Sequence, residues 1–516
     1  MKNYSGTSTS LWNDGFEVIS ADGQLKTDIS VDICVIGAGI SGLTTAYLLS
    51  KAGRKVVVLE KNEIGSGMTS RTTAHIVIAL DDRYYKLEAL HGEKGAALAG
   101  ESHRAAINEI EKIIEEEKIE CEFERVNGYL FSDPEHSQEE LNIEFEAALR
   151  AGCEVELLDK SPLPSFDTGT ALRFSNQAQF HPMKYLAGLA NAIRANGGKI
   201  FTHTNVVKIN SDNEPSAETS DGITIHAAKM VISTNSPINN NMEIPLKQSG
   251  YMTYVVGARI PRDSVPKALF WDNLKNYHYI RIAGYSDMSE DDQILLIGGE
   301  DHKVGQANDG EQRYRALEEW AAARFPMIKK FDYHWSGEVF EPIDSLAFIG
   351  KNDDKNDNIY ISTGDSGNGI THGTIAGILL TDLILGRSND WSELYTPSRK
   401  VMASLFNFAT EALNSSAQYL DWLAPNQVHS KDDILPREGA VVWNGMEKIA
   451  VYRDEENQLH EFSAACPHLS GVVRWNSSEK TWDCPCHGSR FDALGNVIEG
   501  PAIRNLDPVS RSKPQE

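Results

Sequence analysis

Residues 32–42 read DICVIGAGISG, and this segment decides the fold of the larger part of the chain. Its apolar run predicts a buried strand. After this strand come the glycines, a helical stretch and a second apolar run that ends in Glu60. Gly37 permits a tight turn, Gly39 lets the backbone approach a pyrophosphate, and Gly42 lets helix and strand pack closely. Glu60, twenty-three residues after Gly37, is placed to bind ribose hydroxyls. The unit predicts an α/β domain that binds a dinucleotide.

The bulk composition limits the classes of protein that fit. At 516 residues the chain is too long for one core, so we expect two or three domains. A formal net charge of −25 argues against nucleic acid and anionic membrane surfaces as partners. The first fifteen residues lack the features of a signal peptide, and no apolar run reaches the ~20 residues of a membrane span. We therefore expect a cytoplasmic protein without a membrane span.

A second set of motifs lies near the carboxyl end. The segment CPH at 466–468 is followed by fifteen residues and then by CPCH at 484–487. Two thiolates and two imidazoles in this order can hold a two-iron, two-sulfur cluster, with both thiolates on one iron and both imidazoles on the other. A tetrahedral zinc ion is the rival, but the near-identical frames of the two pairs favour two loops closing over one cluster. The ligands would be Cys466, His468, Cys484 and His487.

The segment GSGMTSRTTAH at 65–75 resembles the second flavin-contact loop of the glycine/D-amino-acid-oxidase family. Similar resemblances cover FHP at 180–182, the strand around Val206, VISTNSP at 231–237 and IYISTGDSGNGITHG at 359–373. Together they extend over residues 28–390 and imply that the dinucleotide is FAD. The FAD-binding residues implied by the fingerprint and the resemblance are Gly37, Gly39, Gly42, Glu60, Lys61, Thr69, Arg71, Val206, Gly364, Gly369 and Thr371.

The block CPHLSGVVRWNSSEKTWDCPCHGSRFDALGNVIEGPA at 466–502 resembles a Rieske domain along its whole length. In respiratory Rieske proteins the extra cysteine, here Cys486, pairs with a cysteine at the position of Gly471, so here Cys486 is expected to be a free, buried thiol. Those proteins also use a Ser and a Tyr hydroxyl as donors to cluster sulfurs; this chain keeps Ser489 but has Phe491 for the tyrosine. Because such donors raise the potential, we expect a value low in the Rieske range of about −150 to +300 mV.

The expected fold is an α/β FAD-binding domain of Rossmann type with an antiparallel substrate sheet, followed by an all-β Rieske domain. We place an irregular lead-in at 1–27 and the flavin and substrate domain at 28–390, with a sheet at about 245–340 that roofs the substrate pocket. A helical connector at 391–427 and the Rieske domain at 428–516 follow.

The resemblance implies oxidation of a C–N bond in a small amine or amino acid, with hydride transfer to FAD. Electrons would then pass to the cluster and on to an external one-electron acceptor, a protein or a quinone-like molecule. Two alternatives stay open: a flavin–Rieske relay that serves a partner protein, and oxidation of an alcohol or 2-hydroxy acid. An arginine beside an aromatic cage would favour an amino acid or N-methylated amine, and a closed, featureless space over the flavin would favour the relay.

The sequence offers few candidate catalytic residues. His75 lies where the loop should pass the flavin and could contact or covalently link the ring, although a structural histidine is an equal alternative. Arg281, on a predicted roof strand, could clamp a carboxylate, and Arg71 suits the pyrophosphate, a substrate carboxylate or a surface ion pair. His372 opens the helix near the flavin's pyrimidine side, where a helix cap is the alternative.

Overall fold

The computed structural model describes residues 5–132, 138–211, 214–239, 244–274, 276–284, 291–353, 356–400 and 402–509. Within this part of the chain the helices are Ile40–Lys51, Tyr84–Glu117, Glu139–Arg150, Pro182–Ala195, Gly310–Arg324, Gly369–Ile384, Ser392–Tyr395 and Leu405–Ala417. Short 3-10 turns lie at Leu11–Asn13, Met68–Arg71, Met402–Ser404, Gln418–Leu423 and Lys431–Asp433. None of the helices described is long and apolar enough to cross a membrane.

A largely parallel sheet carries the glycine turn. Residues of its central strand alternate between two cores: Ile33 and Val35 pack on one face, and Cys34 and Ile36 on the other. Because both faces are covered, the strand is an unbroken apolar run. The strand order is Phe348–Asp353, Asn356–Thr363, Thr224–Ile232, Ile29–Ile36, Val56–Leu59 and Lys199–Phe201, with Ser216–Thr219 and Val206–Asn210 joined as an antiparallel branch to Thr224–Ile232.

A second, mostly antiparallel sheet lies over the first one and forms the roof of the cavity between them. Its order is Lys330–Pro342, Gln248–Pro261, Asp292–Lys303, His278–Ala283, Leu269–Asp272, Glu124–Phe131, Ala171–Gln179 and His75–Ile76, with Val155–Leu158 on Ala171–Gln179. The roof therefore takes in strands from 75 to 179, which the sequence analysis does not assign to it. Leu269–Asp272 joins the two halves by pairing parallel with Glu124–Phe131.

The C-terminal region consists of two small antiparallel sheets. The first contains Glu438–Asn444, Glu447–Arg453 and Leu459–Ser463, and the second contains Arg474–Asn476, Thr481–Asp483, Arg490–Asp492 and Val497–Glu499. Between them lies an apolar core that includes Trp475, Trp482 and Phe491 together with three cysteines, Cys466, Cys484 and Cys486. The two cysteine–histidine loops are thus built on an all-β support.

The N-terminal segment joins the two regions. Thr7 N donates to Glu479 O at 3.2 Å, while Ser10 Oγ donates to Ser70 O and Trp12 Nε1 to Thr72 O, each at 2.5 Å. Trp12 is buried to 1% exposure. The described part of the predicted lead-in therefore runs between the loop at 65–75 and the C-terminal sheets.

Candidate active site

A cavity of about 310 Å³ lies between the parallel sheet and the roof. The sequence-predicted residues that line it are Gly37, Gly39, Glu60, Lys61, Thr69, Arg71, His75, Val206, Gly364, Gly369 and His372. Gly42, Arg281 and Thr371 do not appear among its lining residues. Residues from distant parts of the sequence thus meet around one elongated space.

The three glycines of the first turn have different surroundings. Gly37 has φ +104°, and a Cβ there would lie 2.2 Å from the Ser233 carbonyl oxygen. A Cβ at Gly42 would lie 2.0 Å from the Gly37 carbonyl oxygen, so this glycine lets helix and strand pack. A Cβ at Gly39 would meet only Thr69 Oγ1, at 3.2 Å, and Gly39 lines the cavity. The turn therefore leaves a cradle at Gly39 that a side chain would fill.

Glu60 and Lys61 mark one end of the cavity. Glu60 is held by two backbone amides, since Ala38 N donates to Oε2 and Asn62 N to Oε1, both at 2.9 Å. Lys61 Nζ donates to Val497 O at 3.0 Å and to Ile498 O at 2.9 Å, both in the C-terminal sheets. Lys61 thus contacts the C-terminal region as well as the cavity.

Arg71 is buried, and its guanidinium reaches across to the C-terminal region. Nη1 lies 3.5 Å from Glu479 Oε1 and also donates to Ser8 Oγ and to Ser336 O, while Nη2 donates to Ser8 O at 2.9 Å. Burial acts to raise the Glu479 pKa, but the Arg71 and Arg490 charges hold it below its usual value. Arg71 therefore lines the cavity and also makes an ion pair, which is buried and not at the surface as the ion-pair alternative of the sequence analysis had it.

Arg281 lies behind the flavin loop. Its Nη1 donates to the carbonyl oxygens of Thr73 and Ala74, each at 2.9 Å, and its guanidinium lies 5.4 Å from the centre of the Trp12 ring. These contacts fix the loop to the roof strand. The structure does not bring Arg281 to the cavity wall, where a clamp on a substrate carboxylate would have to be.

His75 faces the cavity beside the aromatic wall. Its Nδ1 is 3.1 Å from Thr73 Oγ1, and its Nε2 is buried. The ring meets Tyr279 edge-on, with centroids 5.7 Å apart. Burial, with a smaller effect of the Arg281 charge, lowers the His75 pKa to about 3, so the imidazole is neutral.

Thr371 and His372 lie in the first turn of the helix Gly369–Ile384, which follows the second glycine-rich turn. Thr371 Oγ1 donates to Asn368 O at 3.1 Å, which is a local helix contact. His372 lines the cavity, its Nδ1 lies 2.7 Å from Asp365 O, and its Nε2 lies 3.3 Å from His103 Nε2. Burial lowers the His372 pKa to about 4 and keeps this ring neutral too.

The sequence analysis missed the acidic residues of the cavity. Asp81 and Asp365 line it, and Asp365 Oδ1 is buried without a partner among the described residues. Behind them, Ser366 Oγ lies 2.7 Å from both Asp82 Oδ2 and Glu341 Oε2. Burial raises the pKa values of Asp81 and Asp365 to about 7. In the sequence these carboxylates are isolated and match no motif. Only the fold brings them together.

Aromatic side chains of the roof complete this half of the cavity: Trp271, Tyr277 and Tyr279. Tyr277 OH donates to Asp301 Oδ2 at 3.0 Å, and Thr253 Oγ1 lies 2.8 Å from Tyr279 OH. Burial raises the Asp301 pKa to about 6. This wall is aromatic and acidic, and none of the Lys and Arg residues that line the cavity belongs to it.

The two cysteine–histidine loops have matching backbones. Ser470 N donates to Cys466 O at 2.8 Å, and Gly488 N donates to Cys484 O at 3.1 Å. The imidazoles of His468 and His487 lie with centroids 5.0 Å apart at 89°, and burial lowers the pKa of each to about 4, which keeps both neutral for metal binding. In the described residues no three His, Cys, Asp or Glu side chains form a site for one metal ion. A two-iron cluster needs only a pair of ligands on each iron, so the two loops fit it.

The residues around the two cysteine–histidine loops explain two positions at which this sequence differs from respiratory Rieske proteins. Cys486 is a free, buried cysteine, and a Cβ at Gly471 would lie only 2.5 Å from its Sγ. The Ser489 hydroxyl hydrogen-bonds to the Cys466 thiol and also accepts from Ala502 N at 3.0 Å. Phe491 is fully buried in the same core and offers no hydroxyl.

The loop of His487 packs directly on the roof sheet. Gln306 Nε2 donates to Pro485 O at 3.1 Å, and a Cβ at Gly488, which has φ +83°, would lie 2.7 Å from Glu338 Oε1. Glu338 also lines the cavity, is only 2% exposed, and has no hydrogen-bond partner for either carboxyl oxygen in the described structure. One side chain therefore touches both the cavity and the residue next to a cluster ligand.

Comparisons with known proteins identify both regions. The profile of the family described as "DAO: FAD dependent oxidoreductase" matches residues 32–383, and that of the "Rieske [2Fe-2S] domain" matches residues 425–510. The chain therefore belongs to the DAO family of FAD dependent oxidoreductases and carries a Rieske domain. Its cofactors are FAD and a [2Fe-2S] cluster, and we propose the Gly39 cradle and Glu60 as part of the FAD site.

Individual relatives match either nearly the whole chain or about seven-tenths of it. The chain is 31% identical, over 94% of both sequences, to the putative Rieske 2Fe-2S iron-sulfur protein YhfW of Bacillus subtilis (strain 168). It is 27% identical to the gamma-glutamylputrescine oxidoreductase of Escherichia coli (strain K12), over 70% of this chain and 85% of the relative. The crystal structure of glycine oxidase from Geobacillus kaustophilus superposes on 72% of this chain and 99% of its own, with a TM-score of 0.61 at 20% identity. The last likeness shows the fold.

We predict that Gly39→Val yields folded protein without flavin, because the new side chain would enter the cavity where the backbone must approach the pyrophosphate. The flavin absorbance per chain and the circular dichroism spectrum measure the two effects. Gly284→Val is the matched control, since a Cβ there meets no atom within 4 Å. Full flavin content in Gly39→Val would contradict the assignment of this turn.

We predict that Phe491→Tyr raises the reduction potential of the cluster, because the added hydroxyl can donate to a cluster sulfur. Protein-film voltammetry measures the potential, and Phe491→Leu separates the hydroxyl from a change in packing. An unchanged or lower potential in the tyrosine variant would show that this side chain does not face a sulfur.

Proposed function

We propose that the protein is a dehydrogenase that oxidises a C–N bond of a small amine at FAD and passes the electrons through the Rieske cluster to an external one-electron acceptor. The observation that carries this proposal is the shared wall between the two centres. Residues 497–500 of the Rieske region line the flavin cavity, and Glu338 lies between that cavity and Gly488, next to His487. The cluster loop therefore packs against the wall of the flavin cavity within the same chain, which supports electron transfer between the two centres.

The side chains that line the cavity beside the aromatic wall favour an amine over an amino acid as the substrate. Asp81 and Asp365 face the cavity beside the aromatic wall, which suits an ammonium group through charge and cation–π attraction. A substrate carboxylate would be repelled there, and Arg281, the sequence candidate for binding it, lies outside the lining. The same repulsion disfavours a 2-hydroxy acid. The gamma-glutamylputrescine oxidoreductase relative is named for a compound that contains an amine.

The residues of the cavity can prepare such a substrate. FAD, when bound, accepts a hydride from the carbon beside nitrogen and releases electrons one at a time. Asp81 and Asp365 hold the ammonium, and a carboxylate with a pKa near 7 can take its proton and leave the neutral amine. His75 stays neutral because of its burial and supplies a polar contact without adding charge. The Tyr277–Asp301 hydrogen bond fixes the aromatic wall over the substrate.

A relay that only carries electrons between proteins would need no such lining. The cavity wall instead presents acidic and aromatic groups, with the buried, unpaired Asp365 Oδ1 among those described. We therefore place the electron source in a small molecule and the acceptor, a protein or quinone-like molecule, outside the chain.

We predict that an amine which bleaches the flavin anaerobically reduces the protein completely at about one and a half equivalents, since FAD stores two electrons and the cluster one. In His487→Ala the cluster should be lost, one equivalent should suffice, and turnover with a one-electron acceptor should collapse. His460→Ala is the control, because this histidine of the Rieske region bonds to Asp454 and is not a ligand.

Normal turnover of His487→Ala would show that the Rieske domain does not lie on the electron path. If no amine reduces the wild-type flavin but a reduced protein does, the relay is the correct function.

We predict that the KM for a cationic amine falls as pH rises through about 7, because Asp81 and Asp365 ionise there and attract the cation. Asp365→Asn should raise KM by roughly tenfold or more, the cost of a charge-assisted hydrogen bond of about 1.5–3 kcal/mol, and flatten this pH dependence. Steady-state kinetics from pH 6 to about 8.5 measure both. Asp390→Asn, at an exposed position, is the control; an unchanged profile in Asp365→Asn would contradict the role of this carboxylate.

A further inference from the structure

One stretch of the Rieske domain covers the FAD cavity at the end marked by Glu60. We call residues 497–503 the covering segment; six of its seven residues, all but Pro501, line the cavity. They lie beside Lys61, a residue of the flavin domain that lines the same cavity. The cofactor site of one domain is therefore completed by the other.

Two contacts hold the covering segment in place. Lys61 Nζ donates to both Val497 O and Ile498 O, at 3.0 and 2.9 Å. A Cβ at Gly500 would lie 3.2 Å from Cβ of Ser236, a fully buried residue of the flavin domain. The segment thus rests on the flavin domain without room for a side chain at Gly500.

The same face of the Rieske domain is fixed at a second place. Arg71 and Glu479 form an ion pair in which both side chains are almost fully buried, and Ser336 Oγ donates to Glu479 Oε1 at 2.5 Å. Arg490, also fully buried, donates to the backbone of Ser5 at 3.3 Å. Opening the covering segment by moving the whole domain would expose these buried charges, which makes spontaneous opening rare.

We infer that the Rieske domain is a closed lid on the FAD site, so that FAD can enter or leave only when the covering segment lifts from the flavin domain. Lys61 then acts as a positioning residue: it holds the segment down, and the segment retains the cofactor. The domain that receives the electron also keeps the electron donor in place.

The experiment locks the lid with a disulfide. Ser236→Cys/Gly500→Cys places two thiols at a Cβ separation a few tenths of an ångström below the usual 3.5–4.5 Å of a disulfide. Diamide takes two electrons and two protons from the thiols, and dithiothreitol returns them. FAD release is followed by flavin fluorescence after dilution into flavin-free buffer with potassium bromide, and mass spectrometry confirms the bond. The locked form should release FAD at least tenfold more slowly than the reduced form of the same protein, whereas diamide treatment should not slow release from either single variant.

A second set of variants distinguishes an action of Lys61 through the covering segment from direct binding of FAD by Lys61. Lys61→Met should release FAD at least threefold faster than wild type, Lys61→Arg should stay close to wild type, and the disulfide should restore retention in Lys61→Met. If the disulfide does not restore it, Lys61 acts on the cofactor directly and the positioning role is wrong. Equal release from the locked and reduced proteins, failure of the disulfide to form, or flavin that stays with acid-precipitated protein would each overturn the lid. The readout is cofactor release, so it does not depend on the proposed substrate.

Discussion

The buried ion pair between Arg71 and Glu479 is the contact on which the arrangement of the molecule depends. Arg71 lies in the loop that lines the FAD cavity, and Glu479 lies in the Rieske region. Ser336 of the roof and Ser8 of the N-terminal segment bond to the same carboxylate. Burying two charges is costly unless both are paired and hydrogen-bonded, and removing one partner typically costs roughly 3–5 kcal/mol. Four separate parts of the chain therefore have to be in place together.

This constraint determines how the two redox centres can work. A Rieske domain on a flexible tether would have to find its electron donor at each turnover. Here the loop of His487 is packed on the roof by Gln306 and Gly250, and Lys61 holds the last hairpin over the cavity. The separation between the flavin cavity and the cluster loops is consequently a property of the fold, as the proposed conversion of two-electron chemistry to single electrons within one chain requires.

The sequence predicted those parts whose chemistry is local. Gly37, Gly39 and Glu60 occur at the spacing of a short strand–turn–helix unit, and the family profiles confirm both the FAD domain and the Rieske domain. The site residues themselves stay predictions for experiment. Sequence could not give the partners of Arg71 or Lys61, because Glu479 and Val497 lie more than four hundred residues further along.

The sequence did not reveal the composition of the roof or the acidic wall of the cavity, for a related reason. The strands His75–Ile76 and Val155–Leu158 are too short to show a period, and only their pairing with Ala171–Gln179 places them in the sheet. Asp81 and Asp365 resemble surface carboxylates until the fold places both on the cavity wall. Arg281 lies on the strand His278–Ala283, but it points to the loop carbonyls of Thr73 and Ala74, a direction that strand pattern alone does not determine.

The central claim is that electrons cross from FAD to the cluster inside one chain through a fixed interface. Anaerobic rapid mixing with a reducing amine, followed by flavin absorbance and by the electron paramagnetic resonance signal of the reduced cluster, tests it most directly. The account predicts that the flavin bleaches first, and that the cluster signal follows at a rate independent of protein concentration. A cluster rate that rises in proportion to protein concentration, or a cluster that stays oxidised while the flavin is reduced, would contradict it.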